Sequence, residues 1–165
     1  MKKAQMILYG MVAFLATPFI SLSQERVSVF SSFLSKYYEL RNALVNSDAG
    51  SASRFASEFS ALLKAVDVKT LAANEQAVFQ STRASLIADV NNIAAVKDLA
   101  KQRTAFETLS DNMIALAKTG KPAKPVYIDY CPMKKAYWLS EEQAIKNPYY
   151  GSSMLTCGKI TETIK

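Results

Sequence analysis

The residues of this chain that could do chemistry lie near its C-terminus. Its only two cysteines are Cys131 and Cys157, and each has a methionine nearby in sequence, Met133 and Met154 respectively. Thiolate and thioether sulfurs are the soft ligands that select Cu(I). The chain has no histidine, which is the commonest metal ligand in proteins. This spacing predicts a low-coordinate Cu(I) or Ag(I) site formed by the four sulfur side chains.

The same two cysteines are also compatible with a disulfide. Cysteines of an exported protein commonly pair, and closing a loop of this length contributes on the order of 3 to 4 kcal/mol in the chain-entropy account. A disulfide gives no reason for methionines at these spacings, although Met133 and Met154 could also pack in the C-terminal region. Both interpretations stay open, as does interconversion between the two states, in which oxidation abolishes the metal site.

Aromatic residues are concentrated in the same region. Between positions 127 and 150 the chain carries Tyr127, Tyr130, Tyr137, Trp138, Tyr149 and Tyr150. Such rings can shield a soft metal from water, or they can simply pack together and seal a small structural unit. Tyr130 and Trp138 are the candidates for shielding the metal.

Elsewhere the sequence carries no arrangement of catalytic residues. Because there is no histidine, Ser-His-Asp and Cys-His arrangements are excluded, and there is no glycine-rich phosphate loop. The formal net charge of +6 is modest, and the basic residues are spread along the chain, unlike the clustered charge of nucleic-acid-binding proteins. We therefore predict a binding protein that is not an enzyme and has no nucleic-acid partner.

The N-terminal residues have the pattern of a signal peptide. Lys2 and Lys3 precede an apolar run from Met6 to Ile20, and Ser21-Leu22-Ser23 offers small residues at the positions that signal peptidase reads. The run is shorter than the roughly 20 residues of a membrane-spanning helix. We predict cleavage after Ser23, so that residues 1–23 are the signal peptide and residues 24–165 a single exported domain without stable membrane insertion.

Two amphipathic helices are predicted in the first half of that domain. From Val27 to Val45, apolar residues recur with a period near 3.6, and these are Phe30, Phe33, Leu34, Tyr37, Leu40, Leu44 and Val45. Ser47 or Asp48 is the expected N-cap of the next helix. The apolar face of that helix, which ends near Asp67, consists of Ala52, Phe55, Ala56, Phe59, Leu62, Leu63 and Val66.

Two more helices follow with the same periodicity. The third begins near Asn74 and uses Val78, Leu86, Val90 and Ile93, and the fourth uses Leu99, Arg103, Phe106, Leu109, Met113 and Leu116. Gly120 is the expected left-handed C-cap of the fourth helix. Four helices of similar length with short links favour an antiparallel up-and-down bundle.

The region after the bundle has a different pattern. Strand-type residues occur at Val126–Tyr130 and Ala136–Leu139, and Asn147–Gly151 has turn composition. Ser140 with Gln143 indicates the start of a short helix. The sequence as a whole predicts a mainly α fold, with an up-and-down four-helix bundle over residues 24–120 and a small aromatic-rich C-terminal lobe with short β-strands over residues 121–165.

These C-terminal motifs resemble those of a known family. The matching segments are Tyr130-Cys131-Pro132-Met133, Ala136-Tyr137-Trp138-Leu139-Ser140, Ile145-Lys146-Asn147-Pro148-Tyr149, Gly151, Met154 and Cys157-Gly158. The helical part is similar in Tyr37-Tyr38-Glu39-Leu40, Asn42-Ala43-Leu44-Val45, Asp48, Phe106 and Leu109-Ser110. The family is an uncharacterised exported domain, found alone or fused to periplasmic adaptor subunits of heavy-metal efflux systems of the copper and silver type.

The resemblance implies a periplasmic or secreted accessory that binds, senses or transfers a soft metal, with an adaptor subunit of an efflux pump as its protein partner. The matching metal-site positions are Cys131, Met133, Met154 and Cys157. Structural zinc sites draw four ligands from cysteine and histidine, so this ligand set argues against zinc. The alternative is a module without metal, whose lobe is closed by a Cys131–Cys157 disulfide and docks on a membrane-associated partner.

Overall fold

The computed structural model describes residues 29–120 and 122–165. The predicted signal peptide lies outside the described residues. Four helices come first, α1 (Val29–Val45), α2 (Ala49–Ala65), α3 (Ala73–Ala95) and α4 (Leu99–Ala117), and each packs against the next along the chain. Three strands follow, so the prediction of a mainly α fold with a C-terminal strand lobe is confirmed. Within the described ranges, no helix has the length and apolar character needed to cross a membrane.

The predicted apolar faces form the core of the bundle. All seven α1 residues are buried, as are most of those predicted on the other helices. Phe79 and Arg41 are also fully buried, and the sequence pattern did not indicate either. Phe79 stacks on Phe33 with ring centroids 5.2 Å apart, so α3 contributes a large aromatic ring that packs against α1 in the core.

The helix ends agree with the prediction at Asp48 and differ from it at Gly120. The Asp48 carboxylate accepts a hydrogen bond from the Ser51 N–H at 2.9 Å and caps α2. Gly120 is not left-handed, so its prediction as a left-handed C-cap was wrong. Glycine is needed there for space, because a Cβ atom would lie 2.8 Å from the ring of Phe30.

The lobe is a three-stranded antiparallel sheet in the order β2-β1-β3. Its strands are β1 (Val126–Cys131), β2 (Ala136–Ser140) and β3 (Lys159–Ile164). The first two match the predicted segments. The third was not predicted, because its residues are almost all exposed and therefore leave no buried face in the sequence pattern.

The predicted helix at Ser140–Gln143 does not form. Ser140 is the last residue of β2 and pairs with Tyr127 in the sheet. Its Oγ accepts from the Glu142 N–H at 3.1 Å, two residues ahead, which is a serine turn, whereas a capping box requires a bond three residues ahead. The same Oγ accepts from Nη1 of the buried Arg41 at 2.7 Å, which fixes the end of β2 on α1.

The bundle and the lobe share one hydrophobic core. Trp138, Leu139 and Tyr149 of the lobe belong to the same buried cluster as the helix residues. The hydroxyl of Tyr37 on α1 accepts from the Leu139 N–H at 3.1 Å and bonds to Ser110 Oγ at 2.7 Å. The four helices therefore hold the strands in a fixed position.

Candidate functional site

The structure brings the two cysteines together at one end of the sheet. Cys131 is the last residue of β1, and Cys157 lies two residues before β3. Because β1 and β3 pair antiparallel with Tyr130 opposite Lys159, the two cysteines arrive side by side. Their Sγ atoms are 3.6 Å apart, and both cysteines are free thiols. The sulfurs are thus in contact without a covalent bond, since a disulfide has an S–S length of about 2.05 Å.

The two thiols differ in exposure. Cys131 is fully buried, whereas Cys157 is partly exposed. Cys157 follows a short 3₁₀ turn, Gly151–Met154, and its N–H donates to the Met154 carbonyl at 3.0 Å. Cys131 is therefore fixed in the sheet, and Cys157 lies in a loop at the surface.

Asn147 holds that loop in place. It is fully buried, its Nδ2 donates to the Cys157 carbonyl at 2.7 Å, and its N–H donates to the Leu155 carbonyl at 2.8 Å. Its Oδ1 accepts from the Tyr149 N–H at 2.9 Å. The sequence pattern indicated a turn here but did not indicate that Asn147 holds the loop. The available signal was an asparagine directly before proline, since asparagine side chains bond to nearby backbone in turns.

The local hydrogen bonds make the two thiols chemically unequal. Burial opposes ionisation of Cys131, but a hydrogen bond from the Lys134 N–H at 3.4 Å, together with bonds from Asn147 and Cys157, lowers the pKa of Cys131. The hydrogen bond to Cys131 and burial together raise the pKa of Cys157. Of the two thiols, Cys131 is therefore the more readily ionised.

The two methionines lie on exposed turns next to the thiols in sequence. Met133 is 63% exposed in the turn between β1 and β2, and Met154 is 40% exposed at the end of the 3₁₀ turn. Their exposure does not match the interpretation that they pack in the lobe. A hydrogen bond from the Met133 N–H acts to lower the pKa of both thiols. The backbone of Met133 therefore points at the pair. Met113, by contrast, is fully buried in the bundle.

The aromatic candidates occupy different positions. Trp138 is fully buried, and a Cβ atom at Gly158 would lie 2.8 Å from its ring, so the indole packs directly against the residue after Cys157. Tyr130 packs against Tyr137 across the strand pair in a tilted arrangement, with ring centroids 4.6 Å apart. Adjacent residues of a strand point to opposite faces, so the Tyr130 ring and the Cys131 thiol lie on different faces. The shielding of a metal by these rings stays a prediction.

A buried carboxyl group lies on β1 of the same sheet. Asp129 pairs with Trp138 across the two strands and is fully buried. Among the described residues, its two carboxyl oxygens and the Trp138 Nε1 have no hydrogen-bond partner. Burial raises the pKa of Asp129 to about 6, against the opposing effect of the Arg41 charge. The alternating pattern of strand residues in the sequence did not indicate that Asp129 is buried.

No cluster of three or more His, Cys, Asp and Glu side chains that could hold a metal ion occurs within residues 29–120 and 122–165. A metal at the thiol pair would therefore take further ligands of another kind, such as thioethers. The exposed Met133 and Met154 are of that kind and lie on the two turns that flank the pair.

Comparison with known proteins identifies one family. A family model described as "Protein of unknown function (DUF3347)" matches residues 33–124. That range begins within α1 and ends before β1, so it covers most of the bundle and stops short of the candidate site residues Cys131, Met133, Met154 and Cys157. No curated protein and no solved structure matches the chain.

Proposed function

The chain belongs to the DUF3347 family of proteins of unknown function, and we propose that it is an exported binding protein for a soft monovalent metal ion, Cu(I) or Ag(I). The observation that carries this proposal is the pair of free thiols, with Cys131 Sγ and Cys157 Sγ 3.6 Å apart. Thiolates are matched to soft ions, and the Lys134 N–H donates to Cys131 Sγ at 3.4 Å, which favours the ionised form of that ligand.

The separation of the sulfurs agrees with a shared ion. With a metal–sulfur bond of about 2.3 Å, as in zinc–cysteine sites, sulfurs at this distance subtend an angle of about 100° at the ion. Opening the pair to about 4 Å would give the angle of a trigonal site by the same geometry. The partly exposed side chain of Cys157 would make this movement by rotation, because Asn147 holds its backbone.

The four sulfur residues have distinct roles in this account. Cys131 is the fixed, buried ligand and Cys157 the more exposed one, and both bind the ion as thiolates. Met133 and Met154 complete the coordination from the solvent side, which is where both are exposed. Because these thioethers face outward, the ion can be passed to a partner without unfolding of the lobe. Binding and transfer follow, without catalytic turnover.

Export and the partner are part of the same proposal. The signal-peptide pattern at Lys2 to Ser23 supports a periplasmic or secreted protein, and the resemblance in the C-terminal motifs supports an adaptor subunit of an efflux system as the partner. The intact mass of exported protein tests the first point. It should correspond to a chain that begins at or within a few residues of Gln24, and a full-length chain held in the membrane would overturn export as a soluble protein.

A second candidate function is an interaction module without metal. Three apolar side chains next to the thiols in sequence are exposed, those of Met133, Met154 and Leu155, and such surfaces often mark protein contacts. In this account a Cys131–Cys157 disulfide closes the lobe, which docks on a membrane-associated partner. A count of free thiols in protein purified from its native compartment separates the two candidates, because metal binding needs both thiols reduced.

Competition titration against a chromogenic Cu(I) chelator tests the proposed metal site. The reduced protein should bind about one Cu(I) per chain, and Cys131→Ser or Cys157→Ser should remove most of the affinity, since each removes one thiolate. Zn(II) should bind far more weakly, because only two of the usual four ligands are present. A reduced, folded wild-type protein that fails to compete for Cu(I) would contradict the proposal.

A further inference from the structure

The difference in exposure between the two thiols gives the pair a second kind of chemistry. Cys157 is accessible from solvent and Cys131 is not, yet their sulfurs are 3.6 Å apart. A small thiol or disulfide can therefore reach Cys157 alone, while Cys131 can reach only Cys157. We propose that the pair is a thiol–disulfide exchange centre in which Cys157 forms the mixed disulfide and Cys131 resolves it.

In the oxidising direction the substrate is a low-molecular-weight disulfide, RSSR, such as oxidised glutathione. Cys157 gives up its thiol proton to solvent, its Sγ attacks one sulfur of RSSR, and one RS⁻ leaves as the external S–S bond breaks. Cys131 then gives up its own proton to solvent and attacks Cys157 Sγ, which forms the protein disulfide and releases a second RS⁻. Two electrons pass from the protein dithiol to RSSR, and the two RS⁻ products take up two protons to give 2 RSH.

The reverse reaction uses the same positions. An external thiolate attacks the exposed Cys157 Sγ, and Cys131 is the leaving group. A second external thiolate then attacks the external sulfur of the mixed disulfide, which frees Cys157 and releases RSSR. The Lys134 N–H, which donates to Cys131 Sγ at 3.4 Å, stabilises that leaving thiolate. Leaving groups that are stable as thiolates depart faster, so both directions assign the mixed disulfide to Cys157.

The geometry requires little movement for bond formation. The sulfurs must approach from 3.6 Å to about 2.05 Å, and rotation of the partly exposed Cys157 side chain would supply this shift. Cys131 is held between the paired strands, where it is opposite Ala136. The centre thus combines a fixed buried thiol with an adjustable exposed one.

This activity goes beyond the proposed metal function, because it needs the two thiols and neither methionine. A link between the two functions rests on the metal proposal: oxidation of the pair removes both thiolates and would release a bound soft ion.

The experiment follows single-cysteine variants in oxidised glutathione by time-resolved intact mass. Wild-type protein should lose two hydrogens and gain no glutathione at the end point. Cys131→Ser should accumulate one glutathione on Cys157. Cys157→Ser should react about tenfold or more slowly, since a buried thiol reacts only through local opening that costs more than about 1.4 kcal/mol.

Two controls keep the outcome clear. In guanidinium chloride the two variants should react at the same rate, which assigns the difference to burial in the folded state. The double variant Met133→Leu with Met154→Leu should exchange like wild type, so a failed metal site and a failed exchange centre give different results. Equal rates for the two folded single-cysteine variants, or wild-type protein that ends with two glutathiones, would overturn the inference.

Discussion

Arg103 on α4 donates from its Nε to the carbonyl oxygen of Pro148 at 2.9 Å. Its Nη2 also donates to the Leu44 carbonyl and to Ser47 Oγ, each at 3.0 Å. The Arg103 side chain thus joins the end of α1 to Pro148, which lies in the segment between β2 and β3 that also carries Cys157. The bundle, which holds the family match, thereby positions the segment that holds the candidate site.

Replacing Arg103 should therefore destabilise the fold. Arg103→Met keeps much of the apolar stem and removes three hydrogen bonds made by a partly buried charged group, which we expect to lower the free energy of unfolding by about 2 to 4 kcal/mol. Urea unfolding followed by circular dichroism measures this. Arg54→Met is the matched control, because Arg54 makes an exposed ion pair with Glu58 that contributes at most about 1 kcal/mol. Similar losses for the two variants would refute the bridging role of Arg103.

The pH dependence of stability should carry a contribution from Asp89. Burial raises the pKa of Asp89 to about 6, and the bond from Asn112 opposes that shift. The folded protein therefore holds this proton more tightly than the unfolded chain, so the contribution of Asp89 to stability is present below about pH 4 and is lost as pH rises through about 6. Asp89→Asn should flatten this fall in urea unfolding experiments between pH 4 and pH 7.

Asp48 provides a control because its pKa shift, and therefore the pH dependence of its effect on stability, has the opposite sign. The hydrogen bond from the Ser51 backbone lowers the pKa of Asp48, so its stabilising effect is present above the unfolded pKa and is lost as pH falls through the folded one. Asp48→Asn should therefore change stability mainly at neutral pH, in the direction opposite to Asp89→Asn. An unchanged pH profile for Asp89→Asn would contradict the assigned shift.

The two exposed methionines should matter for metal affinity and little for stability. Met133→Leu and Met154→Leu keep volume and apolarity, but remove a thioether ligand, and each should weaken Cu(I) binding by about tenfold or more in chelator competition. The matched control is Met113→Leu, because Met113 is fully buried in the bundle and should affect stability without affecting affinity. If all three variants bind Cu(I) like wild type, the thioethers are not ligands.

The helices were predictable because burial imposes a period on the sequence. Phe33, Tyr37 and Leu44 of α1 recur at helical spacing, and each is fully buried, so the pattern and the structure agree. Arg41 was not predictable in the same way. It is buried on α1 because Ser140, far away in sequence, accepts from it, and periodicity carries no information about such a partner.

The candidate site was only partly predictable. The residue types at Cys131 and Cys157 could be read from the sequence, but their proximity depends on the pairing of β1 with β3. That strand was missed because Lys159–Ile164 is almost wholly exposed. The unequal burial of the two thiols follows from the same strand pairing, so no short stretch of the sequence indicates it.

X-ray absorption at the copper edge of Cu(I)-loaded protein tests the central claim most directly, because it reports the atoms bound to the metal. The account predicts a first shell of sulfur only, with more than two sulfurs in wild-type protein and fewer in the double variant Met133→Leu with Met154→Leu. Reduced, folded protein that retains no copper after desalting, or a first shell dominated by nitrogen and oxygen, would contradict a four-sulfur site at Cys131, Met133, Met154 and Cys157.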